Sequence, residues 1–257
     1  MSLRFYKYQG TGNDFIMVDD REQAFERNNH QFIEHLCHRR FGIGADGLIL
    51  LQNDPEYDFK MVYFNADGYE GTMCGNGGRC IVQFAHDLKL CNEKTTFIAV
   101  DGEHDAEVKN GLVHLKMGNV STIEKGDDFY FMDTGSPHYV AFKEELDQLD
   151  VYFEGQKIRY NNRFKTVGTN VNFVEQIGID SLSVRTYERG VEDETYACGT
   201  GVTACVIASY LSEKTSTHAK VKVLGGELEV KFNESDRGFE NIWLIGPAKR
   251  VFQGQLS

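Results

Sequence analysis

The tetrapeptide Cys74-Gly75-Asn76-Gly77 returns as Cys198-Gly199-Thr200-Gly201, 124 residues further along a chain of 257. The same offset relates Phe5-Tyr6 to Phe129-Tyr130, Gly44 to Gly168, and Gly102-Glu103 to Gly226-Glu227, while Gly12 and Gly135 stand 123 apart. Any one of these pairs is within chance for a chain with 26 glycines; their shared order and near-constant spacing are not. Self-similarity of this kind marks one supersecondary design used twice. We therefore expect two similar lobes related by a pseudo-two-fold axis. The first would span residues 1–120, be completed by residues 248–257, and carry Cys74. The second would span 121–247 and carry Cys198, with the polar stretch from Ser121 to Asp128 as the connection.

Hydrophobic periodicity fills in the elements. Strands are predicted at Arg4 to Tyr8, Phe15 to Val18, Leu48 to Leu51, Lys60 to Phe64 and Val113 to Met117 in the first half. The second half supplies Phe129 to Met132, Tyr139 to Phe142, Asn172 to Val174, Ser183 to Tyr187, Val221 to Leu224, Leu228 to Phe232 and Ile242 to Ile245. A helix follows each Cys-Gly motif. In the first, Ile81, Phe84, Ala85 and Leu88 fall at helical spacing. In the second, Val202, Cys205, Val206, Ala208 and Leu211 make the helix apolar nearly all round, which requires burial. A further helix is predicted at Gln31 to Cys37. The expected class is α/β (more strictly α+β), with each lobe a bent, barrel-like sheet around a central helix.

Composition excludes several functions. Lys plus Arg is 27 and Asp plus Glu is 39, a net charge of −12. With no basic cluster larger than His38-Arg39-Arg40, neither nucleic acid nor an anionic membrane is an expected partner. The segment Met1 to Lys7 lacks an apolar signal region, and the apolar runs are too short to span a bilayer. Six cysteines in a chain of this length are not a secreted disulfide framework, so a cytoplasmic protein with reduced thiols is expected.

Two of those thiols stand where chemistry is done. Cys74 and Cys198 each precede a helix, where unpaired N–H groups and the positive end of the helix dipole favour a thiolate. The adjoining glycines let backbone N–H groups approach a carboxylate or phosphate. Cys37, Cys80, Cys91 and Cys205 are read as buried small hydrophobes. The spacings Cys74-x5-Cys80 and Cys198-x6-Cys205 do not suit zinc, so no metal is expected. The P-loop ending is missing from both glycine turns. In a duplicated fold, two equivalent thiols facing one carbon form a two-base pair. One removes a proton from one face and the other returns a proton to the opposite face, which inverts a stereocentre. Both helix N-termini would steady the carboxylate of the carbanion. Asn65 and Glu188 occupy equivalent places before the two cysteines, 123 apart, and Arg189 adds a charge in one lobe only. That asymmetry suits an amino acid with distinguishable ends.

The segments Gly10-Thr11-Gly12-Asn13-Asp14-Phe15, Phe64 to Gly68, Met73 to Gly77, Pro137-His138, Tyr187-Glu188-Arg189-Gly190 and Ala197 to Gly201 resemble those of the diaminopimelate epimerases, in order and over essentially the whole chain. The resemblance implies a homodimeric isomerase that interconverts LL- and meso-2,6-diaminopimelate without pyridoxal phosphate or any other cofactor, in lysine and peptidoglycan-precursor synthesis. It implies Cys74 and Cys198 as the acid–base pair, with Cys198 the acceptor and Cys74 the donor from LL to meso. It implies substrate contacts from Asn13, Asn65, Gly75, Asn76, Asn170, Glu188, Arg189, Gly199 and Thr200, and His138 and Glu188 as groups that tune the thiols. Two positions depart from some members of that family: Gly47 stands where they carry Gln, and Ser136 where they carry Asn. A proline racemase-like enzyme of the same fold is the nearest alternative. An amino-acid binding protein without catalysis and a thiol redox protein are the alternatives of other classes.

Overall fold

The computed structural model describes residues 3–256, so Met1 and Ser2 of the N-terminal segment, and Ser257 of the closing one, lie outside the described residues. The chain divides into two compact units, Met1–Leu115 with Gly246–Ser257, and Lys116–Ile245.

The first unit runs β1 (Leu3–Gly10), β2 (Asn13–Asp19), α1 (His30–Cys37), β3 (Gly47–Gln52), β4 (Phe59–Asn65), α2 (Gly75–Asp87), β5 (Lys94–Ala99), β6 (Gly102–Lys109) and β7 (Leu112–Lys116). The second unit begins with β8 (Ile123–Lys125), β9 (Tyr130–Asp133), β10 (Pro137–Phe142), a short 3-10 turn at Leu146–Gln148, and α3 (Val151–Arg159). It continues through β11 (Asn170–Gly178), β12 (Ser181–Glu188), β13 (Asp193–Thr195), α4 (Gly199–Leu211), β14 (His218–Val223), β15 (Gly226–Ser235) and β16 (Gly238–Gly246). The chain then returns to the first unit as β17 (Lys249–Leu256), antiparallel to β1.

The pairing pattern is the same in both units. From β1 to β7, successive neighbours are antiparallel, parallel, antiparallel, parallel, antiparallel and antiparallel. The series β9, β10, β11, β12, β14, β15, β16 repeats that sequence of directions. A parallel step needs a crossover, and each has its helix: α1 and α3 at the first, α2 and α4 at the second. The glycine pairs 44/168 and 102/226 all have positive φ. The repeated glycines thus mark repeated turns that side chains rarely tolerate.

In the first unit α2 packs against β1, β2, β3, β6 and β17; in the second α4 packs against β9, β10, β11, β12, β14 and β15. Each sheet therefore wraps a central helix. Burial follows from the residues: α4 is buried from Gly201 to Ser209, and α2 from Gly75 to Val82 and again at Phe84 and Ala85. Leu88 stands half-buried at the C-cap of α2 rather than inside the helix. The opposite sheet face of the first unit is covered by α1, whose Ile33, Leu36 and Cys37 pack with Ile16, Leu48, Leu50, Val62 and Phe64. In the second unit Val151 packs in the corresponding way with Val171, Phe173 and Tyr187. Among the described residues no helix is long and apolar enough to cross a membrane.

Candidate active site

Cys74 is the N-cap of α2, in extended backbone (φ −107°, ψ 146°), and its Sγ accepts the Gly77 N–H at 3.2 Å. One of the unpaired donors of the helix start is therefore satisfied by the sulfur, as the sequence position allows. Asn76, in the first turn, donates from Nδ2 to Asn13 Oδ1 at 3.1 Å. Asn13 in turn donates to Asp46 at 2.6 Å. Asp46 is bound by Arg39 at 2.6 Å, and Arg39 and Lys7 also hold Asp14, at 2.7 and 2.8 Å. Burial alone would raise the Asp14 carboxyl, but the hydrogen bonds from Arg39 and Lys7 outweigh it and hold Asp14 ionised. Asn65 ends β4, exposed, where its carbonyl accepts the Gly68 N–H.

Gly47, opposite Asn65 in the β3–β4 ladder, has a steric cause. A Cβ there would come within 2.6 Å of both the Phe64 carbonyl oxygen and the Tyr63 ring. The Tyr63 side chain fills the space that a side chain at position 47 would need.

Cys198 is the N-cap of α4 (φ −119°, ψ 108°), and its Sγ lies 3.4 Å from Thr200 Oγ1. Thr200 Oγ1 is 2.9 Å from His138 Nε2, and the Thr200 carbonyl accepts the Thr134 hydroxyl. The tautomer of His138 follows from its neighbour. Asn172 Nδ2 donates to the Tyr139 carbonyl at 3.0 Å, while Asn172 Oδ1 accepts from Thr186. The amide nitrogen therefore faces His138 Nδ1, also at 3.0 Å, and Nδ1 must accept. The ring proton sits on Nε2, which faces Thr200 Oγ1 and Ser136 Oγ, and Thr200 Oγ1 in turn lies within reach of both Ser136 Oγ and Cys198 Sγ. Burial pushes the His138 pKa down to about 3, so the ring is neutral at physiological pH, and Thr200 stands between it and Cys198. Ser136 belongs to the same cluster, its Oγ 3.0 Å from His138 Nε2 and 3.1 Å from Asn170 Nδ2.

Asn170 is buried, and its Oδ1 accepts the Arg189 N–H at 2.9 Å, which pins the turn after β12. Arg189 is exposed, with one guanidinium nitrogen on the Val167 carbonyl at 3.1 Å. Glu188 ends β12 and accepts the Thr195 hydroxyl at 2.8 Å. The Cys74 cluster thus gathers Asn13, Gly75 and Asn76; the Cys198 cluster gathers His138, Gly199 and Thr200, with Asn170 beside it through Ser136. Asn65 and Glu188 end equivalent strands.

The other four cysteines are not in disulfides, and burial raises the thiol pKa of each, to about 12 for Cys37. Among the described residues no group of three or more His, Cys, Asp or Glu is arranged to hold a metal ion. Sequence reasoning missed Asn172 and Arg79. Both carried a signal: Asn172 is polar in a strand otherwise read as apolar, and Arg79 is a charge within a helix predicted to be central.

The chain matches the family model described as diaminopimelate epimerase twice, over residues 5–123 and 130–251. A diaminopimelate epimerase of Flavobacterium psychrophilum is 54% identical over 253 residues, 98% of this chain and 99% of its own. This chain belongs to the diaminopimelate epimerase family. Another member, from Chlorobaculum tepidum, is 47% identical, with 96% of this chain and 99% of its own covered. The fold also occurs outside the epimerases. A phenazine biosynthesis protein of the PhzF family from Bacillus anthracis superposes with a TM-score of 0.77 at 13% identity, covering 100% of this chain and 99% of its own. A probable proline racemase from Agrobacterium radiobacter gives a TM-score of 0.66 at 13% identity, covering 99% and 93%. The two segments matched by the epimerase model are the two copies that the repeated Cys-Gly motif announces.

Proposed function

We propose that this epimerase interconverts LL- and meso-2,6-diaminopimelate by proton transfer at one alpha carbon, with Cys74 and Cys198 as its two bases. The observation that carries this reading is the pair of cysteines capping equivalent central helices in a chain 54% identical, end to end, to a named diaminopimelate epimerase. From LL to meso, the Cys198 thiolate takes the alpha proton and the Cys74 thiol gives its proton to the opposite face. The carbon keeps its four substituents and the enzyme is left as Cys198 thiol and Cys74 thiolate. The reverse reaction exchanges the roles. The N–H groups at Gly75, Asn76, Gly199 and Thr200 stabilise the carboxylate as charge moves onto it. His138, through Thr200, and Glu188 tune the thiols. Arg189 grips the second carboxylate with its planar fork, and Asn13, Asn65 and Asn170 complete the contacts.

The reading includes a first lobe of residues 1–120 with 248–257, a second of 121–247, a cytoplasmic homodimer, and no cofactor. The likeness to proline racemases is one of fold alone, at 13% identity. Incubation with LL-diaminopimelate in D2O tests the proposal. Solvent deuterium should enter the alpha carbon as meso product accumulates. Cys74→Ala and Cys198→Ala should each slow turnover by at least ~10²–10⁴-fold, the usual worth of a general acid or base. Near-normal turnover in either variant would end the two-thiol reading.

A further inference from the structure

Arg79 sits one turn into α2 and is fully buried, at 0% exposure. Its guanidinium makes three neutral hydrogen bonds: NH1 to the Gly75 carbonyl at 3.2 Å, and NH2 to Asn76 Oδ1 and Thr11 Oγ1, each at 3.0 Å. Its Nε has no partner, and among the described residues no carboxylate pairs with it. Room has been made for the group. A Cβ on Gly10 would lie 3.4 Å from NH2, with the Asn76 carbonyl oxygen at 3.2 Å and Cys80 Sγ at 3.3 Å.

A buried cation without a counter-ion is costly, and one at a helix N-terminus also opposes the helix dipole. The duplication shows that the fold does not need it. The residue equivalent to Arg79 in the other copy is Thr203, whose hydroxyl donates to the Gly199 carbonyl at 3.0 Å as Arg79 does to Gly75. A neutral side chain meets the structural need there. The charge in the first copy therefore answers to something else, and the groups that interact with it electrostatically are two thiols, Cys74 and Cys80.

Two thiols lie near. Cys80 is completely enclosed, and burial drives its pKa far up, so it stays protonated. Cys74, half-buried at the helix start with the Gly77 N–H on its sulfur, is the one that can ionise. Several of the other charges on the strands packed against α2 are already paired. Lys7 of β1 and Asp14 of β2 pair with each other, Tyr8 of β1 bonds Asp87 at the far end of the helix, and on β6 His104 and Glu107 pair with Asp101 and with Lys94 and Lys109, while Asp105 accepts from Thr96. On β17 Lys249 and Arg250 are exposed.

We infer that Arg79 is a positioning residue that acts electrostatically. Its buried guanidinium is the standing counter-charge for the Cys74 thiolate, and its NH2 fixes Asn76 against Asn13 so that the first turn keeps its donors aimed at the reacting end. The inference rests on the proposed role of Cys74. It makes the two thiols chemically unequal, with a full positive charge behind one and a neutral imidazole behind the other. The guanidinium serves the last stage from LL to meso, when Cys74 has given up its proton. The overall equilibrium belongs to the substrates, so losing that charge lowers kcat/KM in both directions by one factor.

The test reads the thiol without turnover. The folded enzyme is pulsed with iodoacetamide across pH 5 to 10, and peptide mass spectrometry follows Cys74 and Cys198 separately in each sample. In Arg79→Met the Cys74 profile should move up by about one pH unit, a roughly tenfold slower reaction near neutral pH. Cys198 should be unchanged within about twofold. Arg79→Lys, which keeps charge without the fork, should restore most of the Cys74 reactivity while kcat/KM stays depressed. Arg79→Gln serves in place of the Met variant should that one fail to fold. An unmoved Cys74 profile in a folded neutral variant would overturn the inference, as would equal slowing of both cysteines, or a Lys variant no better than the neutral ones. A wild-type enzyme that fails to exchange deuterium into diaminopimelate would overturn the functional reading instead, whatever the alkylation shows.

Discussion

Replacing Gly201 by alanine puts a methyl group where the structure has no room for one. The new Cβ would lie 2.3 Å from Asn172 Oδ1, whereas ordinary contact begins near 3.4 Å. The amide must retreat by about 1 Å, or the first turn of α4 must lift by as much. Asn172 is held at 3.0 Å on three sides, by Thr186 Oγ1, the Tyr139 carbonyl and His138 Nδ1. A shift of that size breaks two of these buried bonds, at ~1–3 kcal/mol for each group left unsatisfied. Alanine returns up to ~1 kcal/mol of helix propensity. The net loss is about 3 kcal/mol, or a fall in Tm of roughly 6–12 °C for a chain of this size. The same displacement moves His138 and Thr200, which under the proposed mechanism stand behind Cys198, and a misplacement of about 1 Å costs on the order of 10²-fold in turnover. The duplicated position supplies the control. At Gly77 the Cβ would meet Cys74 Sγ and Ile49 Cδ1 at 3.2 Å, both ends of side chains that can yield by a few tenths of an ångström. Gly77→Ala should therefore cost less than ~1 kcal/mol. Calorimetry and deuterium exchange on the two variants decide the matter. A Gly201→Ala enzyme that melts with the wild type and turns over normally would show that Asn172 is not the rigid post the geometry makes it.

Acid should expose His138. Its pKa is about 3 when folded against about 6.5 unfolded, so the stability it gives to the native state is complete above pH 6.5 and is lost at up to about 1.4 kcal/mol per unit as pH falls toward 3. His138→Gln should flatten the stability profile in that window, measured by denaturant titration at pH 4 and pH 7, and an unchanged slope would contradict the burial argument. Gly47→Ala should lose ~2 kcal/mol through its clash with Tyr63 and the Phe64 carbonyl. The double variant with Tyr63→Ala should show coupling of at least ~0.5 kcal/mol, and simple additivity would mean that the ring is not what forbids a side chain at 47.

What was legible in the sequence was legible because of duplication. A Cys-Gly motif seen twice at a fixed offset located both central helices, and glycines at the same offset marked turns of positive φ in both copies. β5 escaped although Thr95, Phe97 and Ala99 alternate on its buried face, and several other elements escaped because their burial is supplied by neighbours. The strand β6, Gly102–Lys109, is mostly charged; only Ala106 is fully buried, and its pairing with β5 and β7 makes it a strand. The helix α3 buries only Val151 and Gly155, too little for a periodic stripe, and is started by Asp150 capping the Phe153 N–H. β17 is exposed along almost its whole length and is held by the ladder to β1. At the site, the cysteines and the Asn and Gly residues beside them were legible from local spacing. Asn172 was not, because its importance lies in facing His138 from a neighbouring strand. Nor was Gly47, whose cause is a ring sixteen residues away on the next strand.

Duplication gives an enzyme two equivalent thiols, yet a two-base reaction cannot run with the two in the same state: one must be ionised while the other holds its proton. Both thiols stand at a helix start, where the dipole favours a thiolate, but the caps differ: Cys74 Sγ accepts the Gly77 N–H, whereas the Cys198 side chain makes no such cap bond. Side chains that the copies do not share add to that difference. Their contribution is concentrated one turn behind each cysteine, where Arg79 answers to Thr203, and beneath the second thiol, where burial keeps His138 neutral with its proton on the side of Thr200. The Thr200 hydroxyl, backed by the neutral His138 ring, can give a hydrogen bond to Cys198 or take one from it as its charge comes and goes, at little electrostatic cost either way. A fixed guanidinium cannot change sign; it favours the state in which Cys74 is the anion. Under the proposed mechanism turnover needs both states to be reached, so the bias has to be modest, and the structure moderates it. Enclosure lowers the Arg79 pKa to about 10, its hydrogen bonds go to neutral groups that spread the charge, and it touches the sulfur's helix turn rather than the sulfur. On this argument the second lobe carries the adjustable partner and the first the biased one.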